Sequence, residues 1–122
     1  MLGLPPMCGR FTKTATLAVI AQPFDVGTPP LFIPRYNIAP SQSVAAIQIE
    51  PGRTTRQLVL LRWGLIPSWA KDPKIGHQCI NAKAETVAEK PSFRAAFKAR
   101  RCLVMATGFY EWQVQGRAKQ PV

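Results

Sequence analysis

The period of the apolar positions changes several times along the chain, and each change marks an element. In residues 12–24, Leu17, Ile20, Ala21 and Phe24 recur at helical spacing and Pro23 supplies a stop, which predicts a short amphipathic helix. Residues 27–40 turn to Pro and Gly, with Pro29, Pro30, Pro34 and Pro40 stiffening what reads as a long loop. Val44, Ile47 and Ile49 lie among small residues in 43–50. After a Pro51-Gly52 turn comes the run Leu58-Val59-Leu60-Leu61, so this stretch predicts two strands joined as a hairpin.

Trp63-Gly64-Leu65-Ile66-Pro67-Ser68-Trp69 reads as an irregular aromatic loop, because its Gly and Pro prevent a regular element. Phe93, Ala96, Phe97 and Arg100 repeat at i, i+3, i+4 and i+7 just after Pro91, which predicts a second helix. Leu103-Val104-Met105 reads as a buried strand. Beyond Gly108, Phe109-Tyr110-Glu111-Trp112 continues in extended form, with Phe109 and Glu111 on one face and Tyr110 and Trp112 on the other. A polar turn follows Gln113, and no repeat or low-complexity tract interrupts the pattern.

With 122 residues, 47% of them apolar and 18% charged, the chain is expected to form one globular unit around a single core. No apolar run reaches the ~18 residues of a membrane helix, and the start Met1-Leu2-Gly3-Leu4-Pro5-Pro6 lacks a signal-peptide pattern. A soluble, unexported, cytoplasmic and nucleoid-associated protein is the expectation. Three cysteines and one histidine, His77, with no CxxC spacing, offer little for a disulfide framework or a metal site, and no cofactor is implied. His77 reads as a surface residue.

Charge changes the picture most. Sixteen Lys and Arg against six Asp and Glu leave a net charge of +10, which favours a polyanionic partner and above all nucleic acid. Arg10, Arg35, Lys83, Arg94, Arg100 and Arg101 are candidates for phosphate contacts. Trp63 and Trp69 suit either base stacking, at ~1–3 kcal/mol per base, or a place in the core.

A cysteine taken alone is more often a small apolar residue than a nucleophile. Cys8 differs because it directly follows Met7, and removal of that methionine from a chain begun there would expose its amine. An α-amine (ordinary pKa ~8) and a thiol (~8.5) on adjacent carbons attack an aldehyde in turn, closing a thiazolidine ring. The open form of an abasic deoxyribose presents such an aldehyde on a polyanion. Glu111, among Phe109, Tyr110 and Trp112, is a candidate proton carrier, since desolvation favours a protonated carboxyl; a solvent-facing strand residue is the plain alternative. Asn81 offers a donor and an acceptor to a sugar or an oxyanion, or else serves as a turn or cap residue.

Five ordered segments carry a resemblance: Met7-Cys8-Gly9-Arg10-Phe11, Arg35-Tyr36-Asn37-Ile38-Ala39-Pro40, Trp63-Gly64-Leu65-Ile66-Pro67, Ile80-Asn81-Ala82-Lys83-Ala84-Glu85 and Gly108-Phe109-Tyr110-Glu111-Trp112. Together they resemble the SRAP (SOS response-associated peptidase) family of abasic-site crosslinking proteins. The resemblance implies an α+β fold, a curved antiparallel, barrel-like sheet core with peripheral helices, of which residues 7–122 would be the N-terminal portion. Residues 1–6 would be a leader or precede the true start.

It further implies capture of abasic sites in single-stranded DNA, with Cys8 as the crosslinking residue, Asn81 positioning the substrate and Glu111 assisting proton transfer. Arg10, Asn37, Pro40, Trp69 and Lys83 would line the DNA path, on a protein monomeric when complete. Lys83 stands where the family commonly has arginine, and the family's catalytic histidine would follow later than Val122. Two other activities stay open at this point: DNA binding without chemistry, and a peptidase that removes its own leader. A fragment of this kind would also leave a sheet edge unpaired and prone to aggregation.

Overall fold

The computed structural model describes residues 8–16, 18–19, 22–26 and 33–122. Two three-stranded antiparallel sheets and one hairpin carry the chain. Strand β1 (Phe11–Lys13) lies between β2 (Arg35–Ile38) and β6 (Gly108–Phe109). Strand β3 (Ser43–Ile49) lies between β4 (Arg56–Arg62) and β5 (Cys102–Val104), and β7 (Trp112–Gln115) pairs with β8 (Ala118–Pro121). A short helix, α1 (Arg94–Ala99), follows Pro91. The α+β class holds, but among the described residues the sheets are open and do not close into the expected barrel.

The expected hairpin forms in full register, from Ser43 opposite Arg62 to Ile49 opposite Arg56. Its turn places Gly52 at φ 81, where a residue without Cβ is at ease. Strand β3 is the centre of the molecule, because Val44, Ala45, Ala46 and Ile47 are all buried. Val44 packs with Phe11 and Ile38 from the first sheet, while Ala45 and Ile47 pack with Met105. Small side chains at Ala45 and Ala46 let a strand covered on both faces sit close to its neighbours.

Four expectations change. The predicted helix over 12–24 cannot begin at Thr12, because residues 11–13 pair as β1 and Thr12 Oγ1 reaches Thr107 Oγ1 at 3.2 Å. Residues 18 and 19 are helical and Gln22–Phe24 form a 3-10 turn, whereas Leu17, Ile20 and Ala21 lie outside the described residues. The predicted loop over 27–40 contains β2, since Arg35–Ile38 finds backbone partners in β1; residues 27–32 lie outside the described residues. Leu103 and Val104 are 56% and 51% exposed, because β5 is an edge strand, and only Met105 of that run is buried. Finally, the predicted extended run 109–112 is split between β6 and β7, with Tyr110 and Glu111 as the crossing point between two sheets.

Candidate functional site around Cys8

A close contact between two glycines builds one wall. Gly64 adopts φ 117, and a Cβ there would lie 2.6 Å from the carbonyl oxygen of Gly76. Only glycine therefore lets the aromatic loop rest on the 3-10 turn Pro73–Gln78, whose start is capped by Asp72 Oδ1 accepting from the Lys74 N–H at 2.9 Å. Two bonds then tie the following segment to that loop. The Leu65 N–H donates to the Cys79 carbonyl at 3.1 Å, and Trp63 Nε1 donates to the Ile80 carbonyl at 2.9 Å. Trp63 is itself held by the Phe11 ring, with centroids 5.3 Å apart.

The next residue is Asn81, half-buried, whose Nδ2 donates to the Cys8 carbonyl at 2.9 Å. This single bond joins positions 73 residues apart in the chain. The Cys8 thiol points back at the Arg10 carbonyl, Sγ to O 3.5 Å. Cys8 is half-buried, whereas Cys79 is buried and Cys102 has its thiol pushed above the ordinary value by desolvation in an apolar groove with Ile47 and Leu103.

The first sheet lies next along the chain from Cys8. Phe11 pairs with Phe109, and the Tyr110 N–H donates to the Arg10 carbonyl at 3.0 Å. The next residue, Glu111, exchanges backbone bonds with Val122, at 2.8 and 3.2 Å. Glu111 is half-buried, but the aromatic enclosure expected around it is open, since Phe109 and Trp112 face solvent. Tyr110 instead turns its hydroxyl to the Tyr36 carbonyl at 3.0 Å, a strut that binds β2 to the crossing point.

The residues expected to line a DNA path fall into two groups. Arg10 and Asn37 are brought together, Nη1 to Oδ1 2.9 Å, with Pro40 just past the end of β2. Arg35 is drawn inward by contrast, donating to the Ser43 carbonyl at 3.0 Å and to Gln42 Oε1. Lys83 is exposed at an open cleft of about 540 Å³ that Asn81 also lines. Trp69 is 57% exposed beside Pro91, whose carbonyl it reaches at 3.4 Å. His77 is exposed in the 3-10 turn. Among the described residues no group of three His, Cys, Asp or Glu side chains is placed to hold a metal, and no helix is long and apolar enough to cross a membrane.

Sequence reasoning missed the positioning residues. Gly64, Gly76 and Trp63 carry no chemistry of their own, yet they orient Asn81; the adjacent Trp63-Gly64 pair was the visible signal.

An open, mixed α+β frame in which Asn81 is bonded to Cys8 defines the class. The chain matches the family described as SOS response associated peptidase (SRAP) over residues 7–122, and it belongs to that family. It is 47% identical over 123 residues to abasic site processing protein YoaM of Bacillus subtilis (strain 168), covering 95% of this chain and 52% of that protein. To abasic site processing protein HMCES of Xenopus tropicalis it is 40% identical over 98 residues, covering 72% of this chain and 29% of that one. A crystal structure of a protein from Bacteroides thetaiotaomicron is similar with a TM-score of 0.75 at 25% identity, over 93% of this chain and 52% of the other. The chain thus spans about half the length of the bacterial relatives it matches.

Proposed function

We propose that this chain processes abasic sites in DNA, and that it does so by covalent capture of the lesion in a single strand at Cys8. The observation that carries the reading is the Asn81 Nδ2 to Cys8 carbonyl bond of 2.9 Å, which sets an amide beside the proposed nucleophile. The names of the relatives, abasic site processing proteins, support the substrate. The net charge of +10 supports a polyanion that carries it.

The chemistry needs the α-amine of Cys8 free of the peptide bond to Met7. Its nitrogen adds to the sugar aldehyde and expels one water, giving a Schiff base. The sulfur then adds to the same carbon while the thiol proton passes to the nitrogen, closing the thiazolidine with no change of oxidation state. The sugar carbon can no longer acidify its neighbour, so strand cleavage by elimination stops. Glu111 takes and returns the proton as water leaves. Asn81 keeps Oδ1 to accept from a sugar hydroxyl, because its Nδ2 is already engaged. Arg10, Asn37, Pro40, Trp69 and Lys83 line the strand on either side.

Protein beginning at Cys8, incubated with abasic single-stranded DNA, is expected to give a heat-stable adduct that Cys8→Ala does not form. Equal adduct from the variant removes Cys8 from the mechanism. Salt-sensitive binding without any adduct leaves the non-covalent reading in its place. Autoproteolysis predicts loss of Met1 to Met7 from purified full chain, read by intact mass.

A further inference from the structure

The positive charge is not spread evenly. Residues 90–101 contain Lys90, Arg94, Lys98, Arg100 and Arg101 and no acidic residue, and all five cations are exposed. The Arg94 N–H donates to the Lys90 carbonyl at 2.9 Å, which starts α1 in register with the preceding turn. Arg94 and Lys98 lie one turn apart on α1, and with Arg101, just past its end, they line one groove of about 560 Å³ together with Ala95 and Phe97. The Arg101 guanidinium sits over the Phe97 ring at 5.3 Å, which restrains an otherwise free side chain. Among the described residues the one salt bridge joins Arg53 to Glu50, so these cations are not consumed by internal ion pairs.

The groove also leads somewhere. Arg94 and Ala95 form part of its wall and part of the wall of the narrow slot under Trp69, which is lined by Pro91 and Arg100 as well. An exposed indole thus lies one shared wall, Arg94 and Ala95, away from a groove lined by three cations. A stacking platform followed by a basic groove is the arrangement that holds a single strand by its backbone.

We propose that the groove lined by Arg94, Lys98 and Arg101 is a second nucleic-acid contact, holding the phosphodiester backbone of a single strand that leaves the Cys8 site past Trp69. The inference rests on the reading of Cys8 as the capture site. It adds a direction for the strand and a set of contacts remote from the reacting sugar. Each neutralised phosphate of a single strand contributes about 0.7 to the slope of log affinity against log salt, so three contacts contribute about 2.

The test compares the chain with a triple variant, Arg94→Gln, Lys98→Gln and Arg101→Gln, on undamaged single strands of roughly 4 and roughly 16 nucleotides. The variant is expected to bind the short strand as the parent does. On the long strand its salt slope should fall by about 2, so that a fourfold rise in salt weakens the parent about 20-fold more than the variant. Arg94→Lys with Arg101→Lys should keep the parent slope, and Arg117→Gln, on the distant β7–β8 turn, should lower it by less than one contact. An unchanged slope in the triple variant overturns the proposal, as does an equal loss on short and long strands. Adduct yield with a short abasic strand is read separately, on the same proteins beginning at Cys8. Its absence from every protein, with the slope difference intact, rejects capture at Cys8 while supporting the groove; its presence without a slope difference rejects the groove alone.

Discussion

Asn81 shows how much one side chain can be asked to do. Its Nδ2 holds the Cys8 carbonyl across 73 residues of sequence, and a part-buried bond of this kind contributes roughly 1 kcal/mol net. Asn81→Ala is expected to lower stability by about that amount and to slow adduct formation about tenfold, if the bond is what keeps residue 8 in place. Asn81→Asp keeps the size and the acceptor but loses the donor, so its rate in abasic-DNA gel assays should also fall below wild type. Lys13 is the other residue that departs from custom, only 2% exposed and with its ammonium pushed below the ordinary value by desolvation. A lowered lysine pKa means that the unfolded chain binds more protons between the folded value and 10.5. Wild type should therefore gain stability relative to Lys13→Met as pH rises through that window, and show no change in the difference below it. Denaturant melts at a series of alkaline pH values measure this.

At the scale of elements, the site depends on how an irregular loop is laid on a 3-10 turn. Gly64 occupies φ 117 with the Gly76 carbonyl against its α-carbon, so Gly64→Ala adds both a backbone penalty and a collision that only main-chain movement can relieve. The variant is expected to lose at least about 2 kcal/mol, a fall in Tm on the order of 10 °C, and to lose adduct with it. A Tm within a degree or two of wild type would show that the loop is not clamped by this contact. The Trp63-Gly64-Leu65 sequence announced a break in regular structure. That the break would carry residues 79–81 to the start of β1 was not legible, because both bonds that do so span more than a dozen positions.

For the whole molecule, the open sheets decide how the chain behaves in solution. The edge strand β5 presents Leu103 and Val104 to solvent, with Leu60 likewise exposed on β4 at the sheet's other edge. Exposed apolar edge strands template association, and a charge on the edge opposes it. Leu103→Lys is expected to lower concentration-dependent light scattering of the chain without lowering its Tm by more than about 0.5 kcal/mol equivalent. Scattering that does not change would show that this edge does not drive association.

The amino-acid sequence by itself determined the hairpin of β3 and β4, the helix after Pro91, the cationic character, and the candidates Cys8, Asn81 and Glu111. The elements and the charge rest on local period, turn chemistry and composition, which neighbours a few residues apart are enough to express, and the candidates on side-chain chemistry and a family resemblance. Tertiary structure alone decided that Thr12 and Lys13 belong to a strand, that Arg35–Ile38 pairs inside an apparent loop, and that Leu103 faces water. It also decided that Asn81 meets Cys8 while Arg35 turns inward. Each of these is a pairing between distant segments, where backbone hydrogen bonds and shared burial outweigh the weak preference of any one residue for its local conformation.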